Sequence, residues 1–299
     1  MTHTGWDVVG IGENSLDLVY RLAGPLAPHG KTQIADRQVL PGGQVATTLA
    51  TCAALGLRAR YLGTFGCDDH ARIIREALES RGVDTRSAIV RDAPNRLAVI
   101  LVEHATGDRT VLWQRDPALA LRAGDVPADL VRDARLLHVD GVDEEASLAA
   151  ARTARAAGLH VTTDIDAVTP RTADLIAAAT LPILAEHVPA ALTGEPDPER
   201  ALRTLRQRHG GMLCVTLGAR GSILLDGNHL HQAPAFPVDA IDTTGAGDVF
   251  RGALIYSLLR GDRPNLMLRV ANAAAAIACT REGAIGGVPT LAEIEQLMS

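Results

Sequence analysis

The stretch Asp242-Thr243-Thr244-Gly245-Ala246-Gly247-Asp248, followed by Val249-Phe250-Arg251-Gly252-Ala253-Leu254, decides the predicted fold and chemistry of this chain. The apolar run is typical of a helix, so the small-residue turn should lie at a helix N-terminus, where free N–H groups and the helix dipole favour an anion. Residues 245–247 carry almost no side chain, so a phosphate could approach the backbone closely. Asp248 in the first turn suits a general base that takes a proton from a hydroxyl. Taken alone, the pattern is equally compatible with an ordinary helix in which Asp248 only complements the dipole.

Composition narrows the class of protein. The chain has 299 residues, of which 47% are hydrophobic and 21% charged, and this is typical of a globular protein with one large α/β domain or two ordinary ones. The net charge of −6 argues against a nucleic-acid surface, so an anionic ligand should be held by local groups.

The single lysine, Lys31, is the one candidate for a Schiff-base or Walker mechanism. The cysteines show no C-x-x-C spacing and are interpreted as reduced thiols. With no membrane-length stretch and no charged-then-apolar leader, we expect a cytoplasmic protein without a membrane partner.

Two familiar nucleotide-binding patterns are incomplete. Gly10-Ile11-Gly12 resembles the start of a dinucleotide fingerprint, but Ser15 replaces the third glycine and the following residues look extended rather than helical. A P-loop would need four residues between its glycines, whereas five separate Gly24 from Gly30-Lys31-Thr32. Two of those five are prolines, which donate no N–H to a phosphate. We therefore reject both interpretations.

Strands alternate with helices along most of the chain. Strands are predicted at residues 8–12, 61–66, 97–103, 110–114, 136–139, 160–164, 182–184, 212–217, 223–225 and 229–232, with loops and strands over 18–40. Helices are predicted at residues 42–55, 70–80, 144–157, 172–179, 198–208, 248–260 and 263–280. This alternation predicts a mainly parallel sheet covered on both faces, with a small β insertion closed by a hairpin turn at 106–109. Ligands of such sheets bind beyond the carboxyl ends of the strands.

Three further features are candidates for ligand contact. Thr216-Leu217-Gly218-Ala219-Arg220-Gly221 follows an apolar strand and is either an anion-binding turn or an ordinary turn into a hairpin. Gly42-Gly43 opens a helix and directs N–H groups towards a ligand. Asp17 lies just beyond a buried strand, where a carboxylate can accept bonds from two sugar hydroxyls or simply cap a turn.

Together these motifs resemble the ribokinase-like (PfkB) family of carbohydrate kinases. The resemblance covers nearly the whole chain, from Gly10-Ile11-Gly12-Glu13 to Pro289. Its three strongest pieces occur in family order and at family-like separations: Pro41-Gly42-Gly43, the turn beginning at Thr216, and Asp242 to Asp248. The resemblance implies a three-layer α/β/α sandwich with a mainly parallel central sheet and a small β-sheet lid, in one domain spanning residues 1–299.

The resemblance also implies an activity and roles for individual residues. The activity is ATP-dependent phosphorylation of a sugar hydroxymethyl group. Asp248 would be the base, and the transferred phosphoryl group would bind an anion hole formed by Gly245, Ala246 and Gly247. The ATP site would be lined by Thr216, Gly218, Gly221 and Asn272. The sugar would face Asp17, Gly42, Gly43, Gln44 and Thr47.

Metal ions and the lid are implied in the same way. Mg²⁺ would accompany ATP, and K⁺ or another monovalent cation would be held by Asp242 and Thr244. On its residues alone, Glu186 is either the carboxylate that organises water around Mg²⁺ or a solvated glutamate at a helix start. Segments of about 17–40 and 96–115 would form the lid, which in relatives closes the site and often mediates homodimerisation. Arg109 and Arg115, on or beside the lid hairpin, are either solvated or within reach of a sugar hydroxyl or an anionic substituent.

Three departures from the family pattern concern the substrate and the metal. Thr47 stands where the family commonly has a sugar-binding Asn, and Thr is too short to span the same two hydroxyls. The family's Asn-x-x-Glu is absent, and Glu186 is the remaining carboxylate of that segment. The usual Gly-Asp-Asp is Gly66-Cys67-Asp68-Asp69. Substrate identity is therefore less defined than phosphoryl transfer.

The sequence leaves several functions open. The acceptor could be a sugar, a sugar phosphate, a keto-deoxy sugar acid or a nucleoside, although the 3% aromatic content disfavours stacking on a nucleoside base. A catalytically idle relative that binds and senses a sugar is the main alternative from another class, and a redox Rossmann enzyme is the third.

Overall fold

A computed structural model describes residues 5–27, 29–103 and 109–299. The strands are β1 Trp6–Ile11, β2 Ser15–Leu22, β3 Ile34–Gly42, β4 Ala59–Tyr61, β5 Thr64–Phe65, β6 Ile89–Val90, β7 Leu97–Glu103, β8 Arg109–Gln114, β9 Ala134–Asp140, β10 His160–Ile165, β11 Leu181–Leu184, β12 Leu213–Thr216, β13 Ser222–Asp226 and β14 His229–Ala233. The helices are α1 Gln44–Ala54, α2 Asp69–Ser80, α3 Ala128–Arg132, α4 Glu144–Ala156, α5 Thr172–Ala178, α6 His187–Thr193, α7 Pro198–Arg206, α8 Ala246–Arg260, α9 Pro264–Cys279 and α10 Leu291–Met298.

The large sheet has eight strands in the order β14-β13-β12-β11-β10-β9-β1-β4. The strands β4, β1, β9, β10, β11 and β12 pair in parallel, each with the next in that order. β13 and β14 continue the sheet in the antiparallel direction. All the parallel strands therefore end at one edge, and the loops that follow them lie next to one another. The sheet confirms the predicted α/β class.

Both faces of this sheet are buried, and neighbouring residues of one strand enter different cores. Val8 and Leu136 pack into a core built with α1, α2, α8, α9 and α10. Val9 and Leu137, one position further along their strands, pack into a second core with helices α3 to α7. The near-continuous apolar runs of β1 and β9 follow from this three-layer arrangement.

A smaller sheet, in the order β3-β2-β7-β8, stands beside the large one. β2 pairs antiparallel with β3 and parallel with β7. β3 ends at Gly42, and Gly43 caps α1, so this small sheet leads directly to the edge where the parallel strands end. One stretch of β8 carries exposed apolar side chains, of which Trp113 is 66% exposed.

The structure corrects several sequence-based boundaries. Asp17 lies within strand β2 rather than beyond a strand, and α8 begins at Ala246 rather than at Asp248. Helix α10 was not predicted, although Thr290 and Glu293 form a capping box at its start. Residues 106–108 of the predicted hairpin turn fall outside the described residues. No helix in the described part of the chain is long and apolar enough to span a membrane.

Candidate active site

The N-terminus of α8 is formed by a turn that only small residues can make. Gly245 is the N-cap and has φ of 75°, in the left-handed region. A Cβ atom there would lie 2.5 Å from the Cβ of Ala284. Asp242 ties the turn to the same neighbouring segment, because its carboxylate accepts the N–H of Thr244 at 2.9 Å and that of Gly283 at 3.0 Å. The N-terminus of α8 is thus held in one place before any ligand binds.

Asp248 lies in the first turn of α8. Its side chain is 15% exposed, so the carboxyl is largely enclosed but still accessible. Thr48 of α1 donates a hydrogen bond from its hydroxyl to the Asp248 carbonyl at 3.1 Å, and this fixes the backbone at Asp248. Burial and the negative charge of Asp164 raise the pKa of Asp248 well above its ordinary value, and Arg251 opposes that rise. A raised pKa gives the carboxylate a higher proton affinity, as a general base requires.

A cavity of about 520 Å³ lies against this turn. The cavity is of ordinary size for a ligand site. Gly247 forms one wall, and Thr216, at the end of β12, and Gly218 form another. The remaining lining comes mainly from the 235–240 loop and α9: Ala235, Phe236, Pro237, Val238, Ala240, Asn272, Ala275, Ala276 and Cys279. The predicted nucleotide residues are therefore brought together around one cavity.

Gly221 and Asn272 also line the cavity, but each has a structural task there. A Cβ atom on Gly221 would lie 2.1 Å from the carbonyl oxygen of Ala233, so the hairpin can close only with glycine. The side-chain N–H groups of Asn272 donate to the carbonyls of Ala233 at 3.0 Å and Pro234 at 3.1 Å. Its oxygen accepts the hydroxyl of Ser222 at 3.0 Å. Asn272 therefore builds the cavity wall, and its amide hydrogens are already used within the protein.

The candidate acceptor side lies across the turn from this cavity. Asp17 accepts the Ser15 hydroxyl at 2.8 Å, and burial raises the pKa of its carboxyl. A Cβ atom on Gly42 would lie 3.4 Å from both the Asp17 carboxyl and the Cβ of Ala284. Ala284 is also the residue that excludes a side chain at Gly245. Asp17, Gly42, Ala284 and Gly245 are therefore successive neighbours between the small sheet and α8.

A family model described as pfkB family carbohydrate kinase matches residues 7–291. The chain belongs to this family. It is therefore a carbohydrate kinase, a phosphotransferase that uses an alcohol group as acceptor.

Individual relatives agree with this assignment. Fructokinase-2 of Oryza sativa subsp. japonica is 27% identical over 98% of this chain and 94% of its own length. The crystal structure of a putative ribokinase from Agrobacterium tumefaciens is 27% identical, with a TM-score of 0.90 over 98% of this chain and 97% of that one. The structure of Arabidopsis thaliana ribokinase complexed with ribose and ATP shares the fold, with 23% identity and a TM-score of 0.87 over 99% of both chains. The ribokinase-like fold of this kinase is confirmed.

Several other residues predicted for the kinase site have the following surroundings in this structure. Thr47 is fully buried on α1. Glu186 pairs with Arg220 at 2.5 Å, is 54% exposed, and does not line the cavity. Arg115 pairs with Asp143 at 2.6 Å. The side chain of Arg109 lies outside the described part of the chain.

Gly43 and Gln44 begin α1 at the acceptor side. Gly43 has φ of 101°, and a Cβ atom there would lie 2.4 Å from the Cα of Asn14. Gln44 donates its side-chain N–H to Asp166 at 2.8 Å. Asp166 follows β10, so the pair joins α1 to the edge of the large sheet.

Sequence reasoning missed a set of acidic residues at this edge of the kinase. Asp140 and Asp164 stand at the ends of β9 and β10 and are paired in register. Asp140 accepts the backbone N–H of Glu13 at 2.6 Å. Glu13 forms an ion pair with Arg96 at 2.6 Å, yet burial raises the pKa of Glu13 to about 7. A carboxylate at the carboxyl end of a buried parallel strand is a signal that could have identified Asp140 and Asp164.

Proposed function

We propose that this kinase transfers the γ-phosphoryl group of ATP to a primary hydroxyl of a free sugar, with Asp248 as the general base. ATP would occupy the 520 Å³ cavity, and the sugar would lie between Asp17 and the N-terminus of α8. Gly245, Ala246 and Gly247 would present the backbone N–H groups that receive the transferred phosphoryl group.

The observation that carries this proposal is the position of one helix N-terminus between the cavity and the side that holds Asp17. Ala246 and Gly247 line the nucleotide cavity. Gly245, in the same turn, packs on Ala284, which adjoins Gly42 and the Asp17 side. A phosphoryl group moving from nucleotide to sugar would therefore pass the N–H groups of α8. Phosphoryl transfer depends mainly on such positioning and charge stabilisation.

The proposed step balances as follows. The sugar hydroxyl oxygen forms a bond to the γ-phosphorus while the bond between that phosphorus and the β–γ bridging oxygen breaks. The hydroxyl proton goes to the Asp248 carboxylate, and ADP leaves with the bridging oxygen. The enclosed position of Asp248 limits competition from water for the same phosphoryl group.

The cavity fits a nucleotide that brings its own cation. Mg²⁺, when bound, neutralises phosphate charge, and it is usually held by substrate phosphates, waters and one or two carboxylates. The described residues contain no group of three or more His, Cys, Asp or Glu side chains arranged to hold a metal ion. Glu186 remains a candidate for the metal through water, and Asp242 with Thr244 for a monovalent cation such as K⁺. Replacing K⁺ by tetramethylammonium in the assay would test the second site.

A free sugar is favoured over a sugar phosphate or sugar acid by the charges of the acceptor side. Arg96, whose charge acts on Asp17, is already paired with Glu13, and Arg115 is already paired with Asp143. Asp17 and Asp166 add negative charge that would repel an anionic acceptor. The named ligand of the Arabidopsis thaliana ribokinase, ribose, and the name of the rice fructokinase make ribose and fructose the first acceptors to test.

We further propose that the small sheet covers the bound sugar and pairs with a second copy of the chain. The exposed apolar residues Val111, Leu112 and Trp113 on β8 support such an interface. Analytical ultracentrifugation of Trp113→Ser against the unaltered protein would test it, because loss of this apolar surface should shift a dimer towards monomer.

The activity is tested by ATP consumption with Mg²⁺ and K⁺ across fructose, ribose, a keto-deoxy sugar acid, sugar phosphates and a nucleoside. We expect turnover with one neutral sugar and a loss of about 10²–10⁴-fold in kcat for Asp248→Asn. Asp226→Asn, an exposed aspartate at the end of β13, is the matched control and should retain activity. If no acceptor in the panel stimulates ATP consumption while the protein still binds a sugar, the kinase mechanism is overturned in favour of a sugar sensor. An active Asp248→Asn variant would remove Asp248 as base.

A further inference from the structure

A buried cation lies directly beneath the proposed base. Arg251, three residues after Asp248 on α8, is 4% exposed. Its Nη2 atom lies 2.5 Å from Oδ1 of Asp164, and its Nη1 atom lies 3.8 Å from Oδ1 of Asp248. The Asp164 side chain is completely buried. One guanidinium therefore contacts two carboxylates that come from different elements, α8 and β10.

The local geometry holds this guanidinium in place. Side chains on a helix lean towards its N-terminus, so Arg251 folds back under the first turn. A Cβ atom on Gly247 would lie 2.6 Å from Nη1 of Arg251. The missing side chain at Gly247 thus serves two surfaces, because it opens the nucleotide cavity on one side and admits the guanidinium on the other.

The other groups around this cluster do not replace Arg251 as a cation. His138 on β9 is fully buried, and burial together with the charge of Arg251 lowers its pKa to about 3, so it is neutral. The further titratable or polar groups that face the cluster are Asp140 on β9, Asp166 after β10, Cys214 on β12 and Thr48 on α1. Asp140 and Asp166 add negative charge, and Cys214 and Thr48 add none. Among the described residues of this cluster, Arg251 is the cation that offsets the charge of Asp164 and Asp248.

We propose that Arg251 is a positioning residue that keeps the Asp248 carboxylate ionised and aimed at the acceptor, with Asp164 as the counter-ion that holds Arg251. This inference rests on the proposed role of Asp248 as base. Without Arg251, Asp248 would share a buried site with a second carboxylate, and one of the two would bind a proton near neutral pH. When Asp248 accepts the sugar proton, Arg251 keeps its contact with Asp164, so the guanidinium does not have to move during the reaction.

The proposal makes opposite predictions for the two partners of Asp248. Removing the cation in Arg251→Met should raise the apparent pKa of the acid limb of kcat/KM by about one to three units, because an opposite charge at this range lowers a carboxyl pKa by that amount. Removing the like charge in Asp164→Asn should lower the same pKa by about one unit. If Arg251 had a purely structural role, both variants would lose activity, but the pKa of the acid limb would not shift in opposite directions. Arg251→Lys keeps the charge and is the conservative control.

Two readouts separate this inference from the proposed function. The first is the pH profile of kcat/KM, in which Arg251→Met should lose activity at pH 7 and recover much of it at higher pH. The second is a ¹³C-carboxyl NMR titration of aspartate-labelled protein, with the Asp248 signal assigned by its loss in Asp248→Asn. The titration reports the Asp248 pKa without turnover, so it remains informative if none of the acceptors is phosphorylated.

Each outcome decides the proposal. A higher Asp248 pKa in Arg251→Met and a lower one in Asp164→Asn support the proposal. An unchanged Asp248 pKa in either variant overturns it. If Arg251→Met does not fold, Asp164→Asn and Arg251→Lys decide: Asp164→Asn must still lower the pKa, and Arg251→Lys must hold it within about half a unit, a small change in interaction energy. A higher Asp248 pKa in Asp164→Asn would overturn the proposal.

Discussion

Replacing Gly245 by alanine tests whether the turn before α8 is held against the segment that follows α9. Gly245 has φ of 75°, and the added Cβ would lie 2.5 Å from the Cβ and 2.6 Å from the Cα of Ala284. The left-handed conformation costs a non-glycine residue about 1–2 kcal/mol. The overpacking adds about 1–3 kcal/mol, so Gly245→Ala should lower the free energy of unfolding by about 2–5 kcal/mol in total.

The same helix supplies a matched control at its other end. Gly261, the C-cap of α8, has φ of 76°, and a Cβ atom there would meet nothing within 4 Å. Gly261→Ala should therefore cost only the conformational part, about 1–2 kcal/mol. The difference between the two variants isolates the contact between Gly245 and Ala284, because the backbone angle is nearly the same in both.

Equilibrium unfolding in urea measures both effects, and the kinase assay measures the consequence for the site. Relief of the Ala284 contact would displace the segment that includes Gly283, whose N–H donates to Asp242 at 3.0 Å. Gly245→Ala should therefore lose kcat as well as stability, whereas Gly261→Ala should keep kcat. The reasoning is refuted if both variants lose the same stability, or if Gly245→Ala retains full kcat.

Two further predictions concern the acceptor side and the core. Asp17→Asn should reduce kcat/KM for the sugar by about 10- to 150-fold and leave KM for ATP unchanged, since hydrogen bonds to a charged group contribute about 1.5–3 kcal/mol; equal losses for both substrates would contradict a sugar contact. The pKa of the buried His138 is lowered to about 3, so the folded state binds fewer protons than the unfolded state between that pKa and the unfolded value. The contribution of His138 to the free energy of unfolding is therefore complete above about pH 6.5. It falls by about 2 kcal/mol as the pH is lowered to 5. His138→Asn should abolish this part of the decline in urea titrations, and an identical decline in the variant would rule the assignment out.

Much of the fold could be predicted because the strands are buried on both faces. Such strands appear as short apolar runs, and Val8-Val9 and Leu136-Leu137 could be recognised without knowing their partners. The short strand β5, Thr64–Phe65, could be placed within a predicted strand and turn but not bounded. Helix α10 was missed even though the capping box of Thr290 and Glu293 is a local signal for a helix start.

The candidate site could be predicted where its residues share one turn and was missed where they do not. The residues from Asp242 to Asp248 are contiguous, so their pattern alone indicated a helix N-terminus with a carboxylate. The pairing of Arg251 with Asp164 depends on α8 lying over the end of β10, and the sequence contains no local sign of that packing. Asn272 was predicted as a nucleotide contact from family resemblance, but its bonds to the 233–234 backbone became visible only in the structure.

The charges of the site divide it into two unequal halves. The lining of the cavity proposed for the nucleotide contains no charged side chain among the described residues, so a bound triphosphate would rely on backbone N–H groups and on the cation it carries. The side proposed for the acceptor is acidic, with Asp17, Asp166 and Asp248, and would repel the transferred phosphoryl group. Arg251 and Asp248 lie 3.8 Å apart, and the Coulomb attraction between two opposite unit charges at that distance is about 4 kcal/mol at an effective dielectric constant of 20. Transfer into the acidic half would therefore need positive potential at the boundary, which the N-terminus of α8 would supply, while Arg251 beneath it offsets part of the charge of Asp164 and Asp248.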